Sequence, residues 1–341
     1  MRDLVIRVDA GGRTGFGHAM RSLSLAEFLR EHFGIATTFY SNPYAKLEGM
    51  FGQHGFGYVL NDGLSEIDFL RKARDDAPGS TILIDRLFPY SGNDIKGLGG
   101  DTKTIMLGNE CEGMHECDYA VFPSAHLSAQ AILELQQSVG HARFFFGPDY
   151  VILNQSAIAF LDRREDATQH SHIAVTTGAS DPEGVLIWAL QRMNDGGLDI
   201  PVKALYGFDF CHKAELMSMR QGLRSNIEVR KFNYGDLFSS RLALSAFGTV
   251  TYELIYAGIP VITVGHATPN DLGGEALQGR YGCNRHLGLF REVNRERLVS
   301  CIRDLWNWEE GLAAMRQKQA GLIDGRGLER MGRIVYSCCS D

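Results

Sequence analysis

The chain has 341 residues, a net charge of −7 and the share of apolar and charged residues that globular proteins have. This length exceeds one ordinary hydrophobic core and predicts two domains. An acidic chain lacks the basic field of a general nucleic-acid-binding protein, so no nucleic-acid partner is expected. Its apolar runs fall short of the ~20 residues that span a bilayer, so stable membrane insertion is not expected either.

The seven cysteines are scattered, without a CxxC pair or a zinc-ligand spacing. Scattered thiols are typical of a reducing compartment, so we expect a cytoplasmic protein. No metal site and no cofactor are predicted. Residues 1–12 place charges inside a short apolar run, which indicates a first strand rather than a signal peptide.

Short apolar runs alternate with amphipathic stretches, which predicts βα units and parallel sheets. The first series of strands is expected at Leu4–Val8, Thr37–Tyr40, Thr81–Asp85, Lys103–Leu107, Tyr119–Phe122 and Arg143–Phe146. A first helix is expected from His18, because four apolar residues share one helical face: Ala19, Leu23, Ala26 and Leu29. The run Phe144–Phe146 is interpreted as a buried strand and not as a membrane-facing patch.

A polar, charge-rich stretch at residues 157–171 is interpreted as an interdomain linker. A second series of strands is predicted at Ile173–Thr176, Val202–Leu205, Ile227–Val229, Leu242–Ser245 and Val261–Val264. We therefore predict an α/β chain with two Rossmann-like domains, residues 1–156 and residues 172–341 with a helical tail, whose parallel sheets face each other across a cleft. Ligands of open α/β sheets bind beyond the carboxyl ends of the strands, so the loops after the strands are the candidate sites.

The first such loop, residues 10–18, contains four glycines and ends on His18 at the predicted start of a helix. An imidazole titrates near neutral pH and can accept a proton from water. The positive end of the helix dipole disfavours the imidazolium form, which keeps such a histidine basic. The residues alone leave two interpretations open: a general base, or an ordinary histidine in a Rossmann-type turn.

The loop Thr176–Glu183 is a candidate phosphate site. Asp181 is expected to cap a helix that begins at Pro182, and the amides of residues 178–180 could hold a phosphate at the helix start. A capped helix without a ligand explains the same residues equally well.

A third loop follows the strand that ends at Ser245. Thr249 is predicted to cap a helix that ends at Ala257, with Gly258 and Pro260 as the stop signal. Glu253 lies one turn into this helix, where a carboxylate could reach ribose hydroxyls. A glutamate in a first turn is ordinarily only a partner of the helix dipole, so both interpretations stay open.

Several short motifs occur in a fixed order along the chain. They are Arg7-x-Asp9, Gly15-x-Gly17-His18, Arg21, Gly178-Ala179-Ser180-Asp181, residues 245–253, Gly258-Ile259-Pro260, Asn270 and residues 324–327. Together they resemble the UDP-2,4-diacetamido-2,4,6-trideoxy-β-L-altropyranose hydrolases of pseudaminic acid biosynthesis and their spore-coat polysaccharide relatives.

The resemblance implies a GT-B architecture and a metal-independent, inverting hydrolysis of a nucleotide sugar, with His18 as the catalytic base. The substrate-binding residues that it implies in the first domain are Asp9, Gly15, Gly17 and Arg21. Those that it implies in the second domain are Glu253 for the ribose, Gly178, Ser180, Asp181, Gly248, Thr249, Val250 and Thr251 for the diphosphate, and Asn270 for the sugar or the water.

The favoured prediction is a hydrolase that releases an amino or deoxy sugar from a nucleoside diphosphate, UDP first, in surface-glycan or nonulosonic acid biosynthesis. The alternatives are a GT-B glycosyltransferase that moves the sugar to an acceptor and a non-catalytic nucleotide-sugar-binding protein. The chain departs from the family pattern at Asn109, Asn154 and Asp271, so the sugar and the nucleotide base stay open, as does the oligomeric state.

Overall fold

The computed structural model of the chain describes residues 2–11, 15–124, 127, 129–137, 141–163 and 171–340. The chain divides into two compact units. The first unit comprises Met1–Ile152 and Gly325–Asp341, and the second unit comprises Leu153–Asp324. Each unit is built on one parallel sheet, which confirms the predicted pair of Rossmann-like folds.

The first unit has a seven-stranded parallel sheet in the order β3-β2-β1-β4-β5-β6-β7. Its strands are β1 Leu4–Val8, β2 Thr37–Ser41, β3 Gly57–Leu60, β4 Thr81–Asp85, β5 Lys103–Leu107, β6 Tyr119–Phe122 and β7 Arg143–Phe146. Its helices are α1 Gly17–Phe33, α2 Ala45–Gln53, α3 Glu66–Asp76, α4 Gly92–Lys96, α5 Ala129–Gln137 and the C-terminal α14 Gly327–Ser340. The central strands β1 and β4 are buried along their whole length, as expected for a parallel sheet covered by helices on both faces.

The second unit has a six-stranded parallel sheet in the order β10-β9-β8-β11-β12-β13. Its strands are β8 Ile173–Thr176, β9 Val202–Tyr206, β10 Ile227–Lys231, β11 Leu242–Ala246, β12 Val261–Gly265 and β13 Arg285–Leu289. Its helices are α6 Gln155–Asp162, α7 Val185–Asp195, α8 Lys213–Met219, α9 Tyr234–Phe238, α10 Thr249–Tyr256, α11 Thr268–Tyr281, α12 Arg295–Asn307 and α13 Glu309–Gln319.

The C-terminal helix differs from its predicted place. We expected the helical tail to belong to the second domain, but α14 packs on α1 of the first unit, where Gly332 lies against the ring of Phe28. The buried apolar face of α14, which includes Met331 and Val335, accounts for this return. The predicted linker also differs, because α6 begins before it; residues 164–170 of that linker lie outside the described residues.

Two strands were not predicted from the sequence, β3 and β13, and both lie at a sheet edge. Both have mostly exposed or half-buried residues, so neither shows a continuous apolar run. Phe144–Phe146 also lies on an edge strand, β7, and is half-buried rather than buried as predicted. Among the described residues, no helix combines the length and the apolar character needed to cross a membrane.

Each sheet has one point at which the strand order reverses. In the first unit this point lies between β1 and β4, where Val8 pairs with Asp85 at the carboxyl ends of both strands. In the second unit it lies between β8 and β11, where Thr176 pairs with Ser245. Open α/β sheets bind their ligands in the crevice outside such a point, so the loops after these four strands are the places to search.

Candidate functional site

His18 is the second residue of α1, and its imidazole contacts the end of β4. Nδ1 of His18 lies 2.6 Å from Oδ1 of Asp85, and Nη2 of Arg21 lies 3.0 Å from the same ring nitrogen. The His18 side chain is 17% exposed, whereas the Asp85 side chain is fully buried. The ring is therefore held from one side and accessible to solvent over part of its surface.

Asp85 was not identified from the sequence, although it ends a predicted strand. Its carboxylate accepts hydrogen bonds from Nε and Nη2 of Arg21 and from Oγ of Ser22, which lies 2.8 Å away. Burial opposes ionisation, but the charges and hydrogen bonds of Arg21 and His18 hold the pKa of Asp85 below its usual value. The signal in the sequence was a carboxylate that closes the apolar run of a predicted strand.

The glycine loop before α1 folds back on itself. The N–H of Gly11 donates to the carbonyl of Gly15 at 3.0 Å, and Gly17 is the first residue of α1. Gly11 has a φ of +81°, and a Cβ at this position would collide with the ring of Tyr44, so both the backbone and the space require glycine. Residues 12–14 lie outside the described residues.

Asp9 is engaged in an ion-pair network instead of lying free. It accepts hydrogen bonds from the buried Arg7 at 2.7 Å, from the backbone N–H of Asn42 at 2.8 Å and from Arg86. Arg7 also binds Glu66, with Nη2 and Oε2 separated by 2.8 Å. This network fixes the carboxyl end of β1 and gives both carboxylate oxygens of Asp9 partners within the protein.

An open groove of ≈ 460 Å³ adjoins the end of β4. It is lined by residues 87–91 after β4 and residues 109–112 after β5. Asn109 joins the two walls, because its Nδ2 donates to the carbonyl of Phe88 at 2.7 Å. A Cβ at Gly108, the residue before Asn109, would lie 3.3 Å from Nη2 of Arg21, so the chain next to this wall approaches Arg21.

In the second unit, the loop after β8 differs from its prediction at the start of the helix. The helix begins at Val185 and not at Pro182. Asp181 does supply the cap: its carboxylate accepts from the N–H groups of Val185 at 2.9 Å and Leu186 at 2.8 Å. Two first-turn amides of α7 are therefore already bound, which leaves them no free hydrogen for a phosphate.

The rest of that loop packs against residues 207–211. Oγ of Ser180 donates to Asp209 at 3.2 Å, and the N–H of Cys211 donates to the carbonyl of Ser180 at 2.8 Å. Gly178 has a φ of +82°. Ser180 and Asp181 are buried, so of the residues in this loop that were predicted to bind a phosphate, Gly178 and Ala179 stay half-buried.

The loop after β11 leaves its helix start accessible. Gly248 is the N-cap of α10 and Thr249 its first residue, so the helix begins one position earlier than predicted. Gly248, Thr249 and Val250 are half-buried, and first-turn amides have no acceptor inside their own helix. Thr251 is buried, and its hydroxyl accepts from the N–H of Gly248 at 3.3 Å. Of the two loops predicted to bind a phosphate, the one at the start of α10 is therefore the better candidate for an anion site.

Glu253 is buried, not a surface residue, and 3% of it is exposed. Burial raises its pKa to about 8, although hydrogen bonds from the Asn154 backbone and the Tyr234 side chain oppose the rise. Among the described residues, its Oε2 atom has no hydrogen-bond partner. A buried carboxyl oxygen without a partner is costly, so a donor supplied by a ligand would be favourable here.

Two residues complete the carboxyl edge of this sheet. Asn270 donates from Nδ2 to the carbonyl of Phe247 at 3.0 Å, which ties the start of α11 to the loop before α10. His266 follows β12 and was not identified from the sequence. Burial lowers the pKa of His266 despite attraction to Asp181 and Glu183, and in the described part of the chain its Nδ1 has no partner.

The other two departures from the family pattern also have structural roles. Asn154 lies two residues past the division between the units, and its side chain caps α6 by accepting from the N–H of Ser156. Asp271 accepts from Nε2 of His286 at 2.9 Å. In the described ranges, no group of three or more His, Cys, Asp or Glu side chains has the arrangement of a metal site.

No protein-family model matches the chain. The chain is 24% identical over 340 residues to the spore coat polysaccharide biosynthesis protein SpsG of Bacillus subtilis, which covers 97% of this chain and 96% of that protein. Among solved structures, MurG of Acinetobacter baumannii matches 98% of this chain and 99% of its own, with a TM-score of 0.63 and 11% identity. HepE of Anabaena, solved with UDP and glucose, matches 99% and 100%, with a TM-score of 0.61 and 11% identity. These similarities show that the fold is of the GT-B type.

Proposed function

We propose that the chain hydrolyses a nucleotide-activated amino or deoxy sugar at the anomeric C–O bond, with UDP as the first nucleotide to test. One observation carries the proposal: the hydrogen-bonded pair of His18 and Asp85 at the reversal point of the first sheet. A histidine that is partly exposed and hydrogen-bonded to a buried carboxylate has the arrangement expected of a general base. The likeness to SpsG supports a role in polysaccharide biosynthesis.

The second unit supplies the nucleotide site in this proposal. The first-turn amides of Thr249 and Val250 would bind the diphosphate, where the positive end of α10 favours negative charge. Glu253 would receive a ribose hydroxyl at its partnerless Oε2 atom. HepE, which has the same fold, was solved with UDP and glucose, and this supports a uridine nucleotide.

The chemistry needs one base and a stabilised leaving group. A water oxygen attacks the anomeric carbon from the face opposite the nucleotide and loses one proton to His18. The bond between that carbon and the phosphate oxygen breaks, and its electron pair leaves with the nucleoside diphosphate. The charge that develops there is stabilised by the backbone amides that start α10. Attack from the opposite face inverts the anomeric configuration.

Glycosyl transfer to an acceptor is the second candidate, because MurG and the glycosyltransferase of kitacinnamycin have the same fold. An acceptor hydroxyl would then replace water and lose its proton to the same His18. The groove beside Asn109 has room for such a molecule. The two candidates differ only in the nucleophile, so they are separable by experiment.

The test uses the purified full-length chain with UDP-, CDP- and GDP-linked amino and deoxy sugars, without an acceptor and in the presence of EDTA. We expect equal amounts of free sugar and nucleoside diphosphate from at least one substrate. Proton NMR at early times should show the inverted anomer. Turnover that begins only when a sugar or lipid acceptor is added would establish transfer and contradict hydrolysis.

His18→Gln provides the matched variant. We expect turnover to fall by ~10² or more, the scale of a lost general base, while the Kd for UDP stays within about twofold. Normal turnover by this variant would exclude His18 as the base.

A further inference from the structure

His18 has two ring nitrogens, and the one without a proton is the one that can accept a proton from water. Nδ1 lies 2.6 Å from a carboxylate oxygen of Asp85 and 3.0 Å from Nη2 of Arg21. These contacts favour opposite tautomers, because a carboxylate only accepts and a guanidinium only donates hydrogen bonds.

The contact with Asp85 decides between the tautomers. An unprotonated Nδ1 would bring a lone pair within 2.6 Å of a carboxylate oxygen with no hydrogen between them, which is repulsive. A proton on Nδ1 gives a charge-assisted hydrogen bond instead, and Arg21 keeps its own bonds to Asp85. This tautomer leaves the lone pair on Nε2, to which no described residue forms a hydrogen bond.

Asp85 is held in a single orientation. It is the last residue of β4, it pairs with Val8 of β1, and it is fully buried. Nε of Arg21 and Oγ of Ser22 each donate to its Oδ2 atom at 2.8 Å, which leaves Oδ1 for His18 and Nη2 of Arg21. A carboxylate fixed in this way cannot rotate to release the imidazole.

We infer that Asp85 is a positioning residue for His18: it fixes the ring with its proton on Nδ1, so that Nε2 is the atom that accepts the water proton. This inference rests on the proposed hydrolysis. As the C–O bond to the nucleoside diphosphate breaks, the proton of the attacking water moves to Nε2, and it later passes to solvent. Asp85 remains ionised throughout and balances the charge of the imidazolium, while Arg21 keeps the carboxylate from taking that proton itself.

The tautomer is measurable without any substrate. Full-length protein with ¹⁵N-labelled histidine gives two-bond ¹H–¹⁵N correlations that distinguish the tautomers, and the His18 signals are assigned by their loss in His18→Gln. At a pH where the imidazole is neutral, we expect the proton on Nδ1 in the unaltered protein. A proton on Nε2 would overturn the inference.

Kinetics supply the second test. Asp85→Asn replaces one carboxylate oxygen by an NH₂ group. In either orientation of the amide, this group faces a nitrogen of Arg21 that is itself a hydrogen-bond donor. The NH₂ group turned toward His18 would favour the other tautomer, so we expect kcat to fall between about 10²- and 10⁴-fold with an unchanged Kd for UDP. A residue that acts through His18 adds no further loss in the His18→Gln background.

Glu27→Gln is the matched control. Oε1 of Glu27 lies 2.6 Å from Nδ1 of His54, the same distance as in the Asp85 pair, but both side chains are at least one-third exposed. This substitution removes a carboxylate from a histidine elsewhere in the first unit and should leave kcat unchanged.

The outcomes separate the two claims. If the unaltered protein is active, a fully active Asp85→Asn would overturn the positioning role and leave the hydrolysis standing. Losses that multiply in the double variant of His18→Gln and Asp85→Asn would do the same. An unaltered protein that carries its proton on Nδ1 but releases no nucleoside diphosphate would overturn the hydrolysis. If Asp85→Asn does not fold, as judged by circular dichroism, the tautomer of the unaltered protein decides alone.

Discussion

Glu253 gives the second unit a pH-dependent stability that can be measured without a substrate. Burial raises the pKa of this carboxyl from 4.5 to about 8. Between these two values the folded state binds more protons than the unfolded state, so the free energy of unfolding falls as pH rises. Ionisation of the buried carboxyl lowers the free energy of unfolding by about 5 kcal/mol in full. This loss is reached above the pKa of the folded state and is absent below the pKa of the unfolded state.

Glu253→Gln removes the titrating group and keeps the shape of the side chain. From about pH 6 to about pH 8, the free energy of unfolding of the unaltered protein should fall by about 2 kcal/mol more than that of the variant, since this interval lies between the two pKa values. Other groups of the second unit, such as His172 and His266, titrate in both proteins and cancel in the difference.

Urea unfolding followed by tryptophan fluorescence measures this difference in the second unit, which contains Glu253. All three tryptophans of the chain, Trp188, Trp306 and Trp308, lie in the second unit together with Glu253. The fluorescence signal therefore originates in that unit. Parallel pH profiles for the two proteins would refute the buried, protonated carboxyl.

Three further substitutions test the loops and the groove of the candidate site. Thr249→Pro removes one first-turn amide of α10 at a position where proline is compatible with the helix. We expect the calorimetric Kd for UDP to rise about 10-fold or more, because a hydrogen bond to a charged group contributes about 1.5–3 kcal/mol, and an unchanged Kd would contradict the phosphate site. Asp181→Asn should lower the stability of the second unit by about 1 kcal/mol in the same fluorescence assay, since asparagine tolerates positive φ but cannot accept from both amides of α7. A stability equal to that of the unaltered protein would exclude the capping role. Asn109→Ala should lower kcat/KM for the nucleotide sugar about 10-fold and leave the Kd for UDP unchanged, because Asn109 joins the walls of the groove. An equal loss of UDP affinity would count against a sugar site there.

The sequence was sufficient for the interior of both sheets. Strands such as Thr81–Asp85 and Ile173–Thr176 are buried on both faces and appear as short apolar runs, so their predicted bounds match the structure. The edge strands β3 and β13 lack that signal, because their residues are largely exposed or half-buried. The end of α10 was also predictable, since Gly258 adopts the left-handed conformation that stops a helix.

The site itself was only partly predictable. The motif around His18 could be recognised, but its partner Asp85 is 67 residues away in the chain and is brought close only by the pairing of β1 with β4. The hydrogen bonds of Glu253 come from Tyr234 and Asn154, which lie in other parts of the chain. The position of α14 in the first unit could not be predicted, because the pattern of its own residues shows an apolar face but not which surface covers that face.

The most direct test of the central claim is the position of the bond that breaks. Turnover of the identified nucleotide sugar in water enriched with ¹⁸O, analysed by mass spectrometry, shows which product carries the label. We predict ¹⁸O in the anomeric hydroxyl of the free sugar and none in the nucleoside diphosphate, because the water activated by His18 attacks carbon. Label in the phosphate of the nucleotide product would contradict this account.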